Sequence, residues 1–267
     1  MELIGQSIQD IFGVAPWGLV IVCCLVFIAG YVDSIAGGGG LISLPAYLIA
    51  GLPTHASIAT NKLGSAMGTT VATWHYAKSG FIQVKLAIPC VLFAFIGSAC
   101  GSNLLLLISD YILKFMLLII LPVTAFYVMR SKQLGNDQVS SLSIRKTVAI
   151  CCLIAFVVGA YDGFYGPGTG TFLMLLLTGV AKLRLDASAG ITKAINLSTN
   201  IAALVIFLLN AQVLIPLGLL AGIFSIAGNY MGSHRFTSNG GAIAKPITIV
   251  VLVIFLIKVI YDLFVGI

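Results

Sequence analysis

The sequence predicts an all-α integral membrane protein: a polytopic helical bundle of two inverted repeats, each with a broken or re-entrant glycine-rich hairpin. Three observations lead there. The 267 residues are 60% hydrophobic and 8% charged, with a mean hydropathy of +1.12, whereas a soluble domain keeps roughly 25% charged residues. The apolar runs are continuous, many near the ~20 residues that cross a hydrocarbon core, and they do not alternate as barrel strands do. The two halves also repeat. Gly30, Asp33, Gly37 and Gly39 recur 129 positions on, and Ala56, Ser57 and Lys62 recur 131 positions on. Two one-residue insertions account for the drift.

Residues 1–16 lack the basic start of a cleaved signal peptide, and their apolar residues form a helical stripe, so they are expected to lie along the interface. The first repeat, 17–129, is expected to hold helices near 17–36, 41–52, 56–77, 86–108 and 111–129. A cytoplasmic linker, 130–146, leads to the second repeat, 147–267, with helices near 147–165, 169–181, 187–209, 213–231 and 246–264. The second segment of each copy is too short to span comfortably and follows a glycine-rich break. It therefore reads as the return arm of a hairpin whose tip lies at membrane depth.

Each copy then makes an odd number of net crossings, which turns the copies upside down relative to each other. The basic residues fit this topology. Lys78, Lys85, Arg130, Lys132, Arg145, Lys146, Lys182, Arg184, Arg235 and Lys245 all fall on one side, with Lys114 and Lys258 as exceptions. That side is cytoplasmic by the positive-inside rule, so both termini are expected outside a bacterial inner membrane. Orientation accounts for the formal net charge of +6 better than nucleic-acid binding does.

The six cysteines all lie in apolar runs and read as small buried packing residues without disulfide or zinc-ligand context. No cofactor, metal site or nucleotide loop is expected. His55 and His234 are expected in loops, and His75 as a packing residue near the cytoplasmic end of its helix.

Lys62 and Lys193 carry the chemistry. Lys62 lies about seven residues into a helix starting near Thr54, or ~10 Å deep at 1.5 Å per residue. Lys193 stands at the same place after Asp186, which looks like an N-cap. A charge at that depth costs at least ~2.5 kcal/mol. Three readings account for it: binding an anionic substrate, ion pairing with Asp33 or Asp162, and snorkelling to the interface. Around the lysines stand neutral hydrogen-bonders suited to anionic oxygens: Thr60 and Asn61 in one copy, Thr192, Asn196 and Asn200 in the other. The tips add Gly38, Gly39 and Gly40, then Gly168, Thr169 and Gly170. Their amides, at the positive start of a half-helix, could face the same anion; close helix packing is the alternative reading. Asp33 and Asp162 either hold the hairpins or carry protons.

Three stretches carry a family resemblance: Gly30–Pro45 (GYVDSIAGGGGLISLP), Ala59–Leu63 (ATNKL) and Tyr161–Gly170 (YDGFYGPGTG). They resemble the TauE/SafE family of membrane permeases, and within it the YfcA-type branch, over essentially the whole length. The resemblance implies movement of sulfite, organosulfonates or other small anions across the inner membrane, often outward. The expected function is therefore a transporter exporting a small sulfur-containing anion by alternating access. Proton-coupled uptake of a small organic anion is the alternative. An intramembrane redox protein or enzyme is disfavoured, because the adjacent cysteines point about 100° apart on a helix and have no acid–base partner nearby in sequence. The expected partners are a small anionic substrate and membrane lipid, with no nucleic acid; a homodimer is left open.

Overall fold

The computed structural model describes residues 2–109, 112–113 and 143–239. The predicted helix at 246–264, almost all of that at 111–129 and most of the linker 130–146 lie outside the described residues. Within them run α1 (Glu2–Phe12), α2 (Pro16–Ala36), α3 (Gly40–Ile49), α4 (Thr54–Lys78), α5 (Val84–Leu106), α6 (Ile144–Phe164), α7 (Thr169–Gly179), α8 (Leu185–Leu209) and α9 (Ile215–Asn239). No strand occurs among the described residues.

Glycines make the two breaks. α2 opens on Pro16, whose missing N–H and fixed φ suit a first helical turn. It closes at Gly37 in the left-handed region (φ +74°), whose N–H donates to the Asp33 carbonyl at 2.8 Å. A left-handed residue ends a helix by satisfying a late carbonyl, and glycine adopts that conformation without steric cost. In the second copy Gly166 (φ +100°) and Gly168 (φ +84°) separate α6 from α7, and Thr169 Oγ1 donates to the Gly166 carbonyl at 2.6 Å.

Among the described residues five helices are long and apolar enough to cross a membrane: α2, α5, α6, α8 and α9. The chain is a multi-pass membrane protein. α3 and α7, with 10 and 11 residues, reach only about half of a ~30 Å hydrocarbon core. α4 departs from the expectation of an apolar span. Its 25 residues suffice in length, but it is not among the helices apolar enough to cross. Its polar side chains turn inward, with Thr60, Lys62 and Thr69 buried, and α8 and α9 pack along it.

Helix contacts respect the repeat. α2 packs on α9 and α5 on α6; α4 packs on α9 and α5 on α8; α4 and α8 cross each other. Exchanging the copies maps each of the first two pairings onto its partner and the last onto itself. The same register governs the glycines. A Cβ on Gly97 or Gly101 of α5 would collide with the Phe156 or Ala160 carbonyl of α6, and one on Gly228 or Gly232 of α9 with the Phe27 or Tyr31 carbonyl of α2. Gly97 and Gly101 become Gly228 and Gly232 on adding 131, and Phe27 and Tyr31 become Phe156 and Ala160 on adding 129. Small residues four apart let membrane helices approach closely where no hydrophobic effect drives them together. Outward, Trp17, Val20, Leu92, Ile96, Leu153, Val157 and Ile223 are exposed, an apolar surface suited to lipid.

Three local expectations are corrected. Cys23, Cys90, Cys151 and Cys152 are buried, but Cys24 and Cys100 are exposed, because they fall on the outward faces of α2 and α5. Asp186 is not the N-cap of α8. The backbone is already helical at Leu185, and Asp186 Oδ1 accepts the Ala187 N–H at 2.7 Å while facing Arg184. His55 and His234 are helical, in α4 and α9. His55 Nε2 lies 3.2 Å from the Leu105 carbonyl, and His234 stacks on His75 with ring centroids 3.8 Å apart.

Candidate functional site

The two glycine tips meet. The left-handed turn at Gly37 lies so close to the start of α7 that a Cβ there would overlap the Gly170 backbone, and a Cβ on Gly170 would reach within 2.5 Å of Gly37 Cα. Gly40 faces Pro167, with 3.0 Å between its Cβ position and the proline Cα. Thr171 Oγ1 ties the junction by donating to the Ala36 carbonyl at 2.9 Å. The tip of each hairpin is therefore held by the other copy.

Beside this junction stand two ion pairs, one buried at both ends and one partly exposed at its aspartate, and both cross between the copies. Lys193 of α8 donates to Asp33 of α2, to the carboxylate Oδ2 at 2.6 Å and to the main-chain carbonyl at 2.5 Å. Lys62 of α4 lies 2.8 Å from Asp162 Oδ2 of α6. The pairs differ in quality. Lys193 grips two oxygens at once. The Lys62 approach lies off the direction that a hydrogen bond requires, so Asp162 Oδ2 accepts none. Ammonium and carboxylate both lose water on burial, and attraction at this range in a weak dielectric offsets much of that cost. Of the readings open for the lysines, pairing is realised for both. Snorkelling is excluded, since the side chains are only 3% and 2% exposed.

A small polar cavity, open at its mouth, lies between the tips, α2, α4, α6, α8 and α9. Asn61, Lys62, Asn196, Asn200, Gly39, Gly40, Thr169, Gly170, Asp33 and Asp162 all line it. Lys193 does not, standing behind Asp33 at 2.6 Å. Thr60 and Thr192 are buried outside the lining; Thr60 Oγ1 accepts the Leu214 N–H at 3.1 Å. Gly38 and Gly168 also stay out of the lining, with their carbonyls engaged by the Leu41 and Phe172 amides at 3.1 and 2.9 Å. The starts of α3 and α7 thus border the cavity.

Sequence reading missed Ser43 on α3 and Ser225 and Asn229 on α9, which also line the cavity. One signal was available. The register that carries Lys62 to Lys193 carries Gly97 and Gly101 to Gly228 and Gly232, which marks α9 as an inner helix with one face against the site.

The cavity holds one cationic and two anionic groups with neutral donors and acceptors around them. Such a site can bind a small charged solute reversibly, and among the described residues no group of three or more His, Cys, Asp or Glu could hold a metal ion. The chain is 35% identical to the probable membrane transporter protein ORF9 of Sinorhizobium sp, over 88% of this chain and 90% of that protein. It is 31% identical to a probable membrane transporter protein of Haemophilus influenzae, over 91% and 95% of the two chains. It is 28% identical to the probable membrane transporter protein YfcA of Escherichia coli, over 96% and 95%. No solved structure matches. Residues 22–259 match the model of the sulfite exporter TauE/SafE family, and the chain belongs to that family.

Proposed function

We propose that the chain is a carrier, not an enzyme, that exports a small sulfur-containing anion, a sulfite or an organosulfonate, across the bacterial inner membrane by alternating access. In this reading residues 17–129 and 147–267 are inverted repeats joined by a cytoplasmic linker at 130–146, and both termini lie outside. One observation carries it: each copy supplies the lysine to the other copy's aspartate, and one of these pairs borders a polar cavity closed by both glycine tips.

The chemistry follows from the quality of the two pairs. An entering anion competes with Asp162 for Lys62, whose present bond is poorly aligned, and gains a charge-assisted bond of ordinary strength. Asn61, Asn196 and Asn200 supply neutral donors for its remaining oxygens. The released Asp162 loosens the tie between α4 and α6, so occupancy and the relative position of the copies become linked. Lys193 and Asp33 hold the opposite side meanwhile.

Voltage sets the direction. With the interior negative, moving one negative charge outward gains ~2.3 kcal/mol per 100 mV, roughly a 50-fold gradient. Export needs no coupled ion. Proton-coupled uptake is the second reading, favoured by the two cavity carboxylates, and it requires Asp33 or Asp162 to bind a proton in transit. The test is isothermal titration of purified protein with sulfite, sulfate, sulfoacetate, thiosulfate and simple carboxylates, with zwitterionic taurine as the control without net charge. Binding of a sulfur-containing anion that Lys62→Met weakens supports the proposal. Binding of none of them overturns it.

A further inference from the structure

We propose that the cavity selects an anion that also carries a hydrogen-bond donor, and that Asn229 of α9 reads that donor. The inference rests on the anion-carrier reading above and narrows its substrate class. Asn229 lines the cavity and is 2% exposed. Its Nδ2 donates to the Ser225 carbonyl at 3.0 Å and lies 3.4 Å from Ser225 Oγ. Those contacts fix the amide, because turning it would set two acceptors against each other. The other end, Oδ1, is buried and accepts no hydrogen bond. On α8, Asn196 also lines the cavity and its Oδ1 is in the same condition.

The surroundings keep this amide in place at some cost. A Cβ on Gly30 would lie 2.7 Å from the Ser225 carbonyl and 2.9 Å from Asn229 Nδ2, and a Cβ on Gly68 would overlap both side chains. Two glycines on two helices make room for one amide. The repeat supplies a comparison within the same chain. The 131-residue register relates Ala94 to Ser225 and Ser98 to Asn229. Ser98 donates to the Thr199 carbonyl at 2.8 Å and does not line the cavity. The first copy therefore closes its position with a satisfied hydroxyl, and the second leaves an unmet acceptor on a side chain that lines the site.

An amide oxygen only accepts, and the Lys62 ammonium only donates. One ligand satisfies both when it presents an anionic oxygen to Lys62 and an O–H or N–H to Asn229. A fully deprotonated oxyanion sets oxygen against oxygen there and leaves the acceptor unmet. A site built to bond a substrate hydroxyl rejects the analogue lacking it far more strongly than a missing methylene is rejected. The class is therefore hydroxylated or singly protonated small oxyanions.

The test compares 2-hydroxyethanesulfonate with ethanesulfonate, equal in charge and close in size, by titration into the purified full-length protein. The hydroxylated probe should bind at least about 10-fold more tightly, or ~1.4 kcal/mol. Asn229→Leu should remove the difference. Hydrogen sulfite against sulfite, titrated at two pH values, separates an acid proton from a hydroxyl as the source of the donor. Equal affinities for the two sulfonates in the unaltered protein would overturn the inference and leave the carrier reading standing, whether or not the leucine variant folds. Binding of neither sulfonate would remove the inference and the sulfonate class together.

Discussion

The Lys193 ammonium and the Asp33 carboxylate meet at 2.6 Å although 160 residues separate them. They come from opposite copies of the repeat, and the same ammonium also takes the Asp33 main-chain carbonyl. That carbonyl is the one accepting the Gly37 N–H that ends α2. One lysine thus fixes the carboxylate, the helix end and the left-handed turn of the opposite copy.

Lys193→Met should therefore act on stability. It leaves Asp33, whose side chain is 19% exposed, without its partner, a loss at or below the ~3–5 kcal/mol of a fully buried pair, and Asp33→Asn in the same protein should restore most of it. Lys62→Met should act on affinity as well as stability: it weakens anion binding by about 10- to 150-fold through loss of a charge-assisted bond, and it strands Asp162, which is more buried than Asp33. Melting temperature and anion affinity measured on the single and paired variants check both. Only Lys62 lines the cavity, so equal losses of affinity in the two folded variants would contradict the asymmetry.

Gly37→Ala should abolish folding rather than tune it. The residue has φ +74°, and the added carbon would overlap the Gly170 backbone, which has no side-chain freedom with which to yield. Gly80 supplies the control, having φ +76° but nothing within 4 Å of its Cβ position. Gly80→Ala carries only the backbone strain, about 1–2 kcal/mol. Yield of folded protein by size-exclusion chromatography separates the two.

At the α5–α6 seam, Gly101→Ala should cost several kcal/mol, since the methyl would overlap the Ala160 carbonyl. Cys100→Ala, on the exposed face of the same turn, should stay within about 0.5 kcal/mol. A thermal-melting series reads the difference directly, and equal effects would show that this seam is not tightly packed.

How far the sequence could be read follows from what each residue depends on. The breaks at Gly37–Gly40 and Gly166–Gly170 were legible because glycine's conformational freedom is local. Lys62 and Lys193 stood out because a charge in an apolar helix is costly wherever it sits. Which aspartate each lysine meets was not legible, since Asp33 and Asp162 are equivalent in the repeat and only the crossing of α4 with α8 decides. Asn229 escaped notice for a related reason. An asparagine in a helix carries no mark of its surroundings until Gly30 and Gly68, nearly 200 and 161 positions away, are seen to make room for it. Cys24 and Cys100 misled because an apolar run does not say which face is inward.

Changing all six cysteines to Ala should preserve anion binding. Four of them are buried, so a total cost of a few kcal/mol in stability is expected from lost packing. Titration of the variant below its melting temperature reads affinity separately from stability. Loss of binding in protein that is still folded would revive a redox role.

The central claim, outward anion movement through the Lys62 cavity without a coupled ion, is tested most directly in proteoliposomes. Protein is reconstituted with labelled sulfoacetate inside, and a potassium diffusion potential sets the interior negative. Efflux should accelerate with the imposed voltage, persist when any pH gradient is collapsed at fixed voltage, and fall at least about 10-fold in Lys62→Met. Efflux that stops when the pH gradient is collapsed, or that Lys62→Met leaves unchanged, would contradict the account.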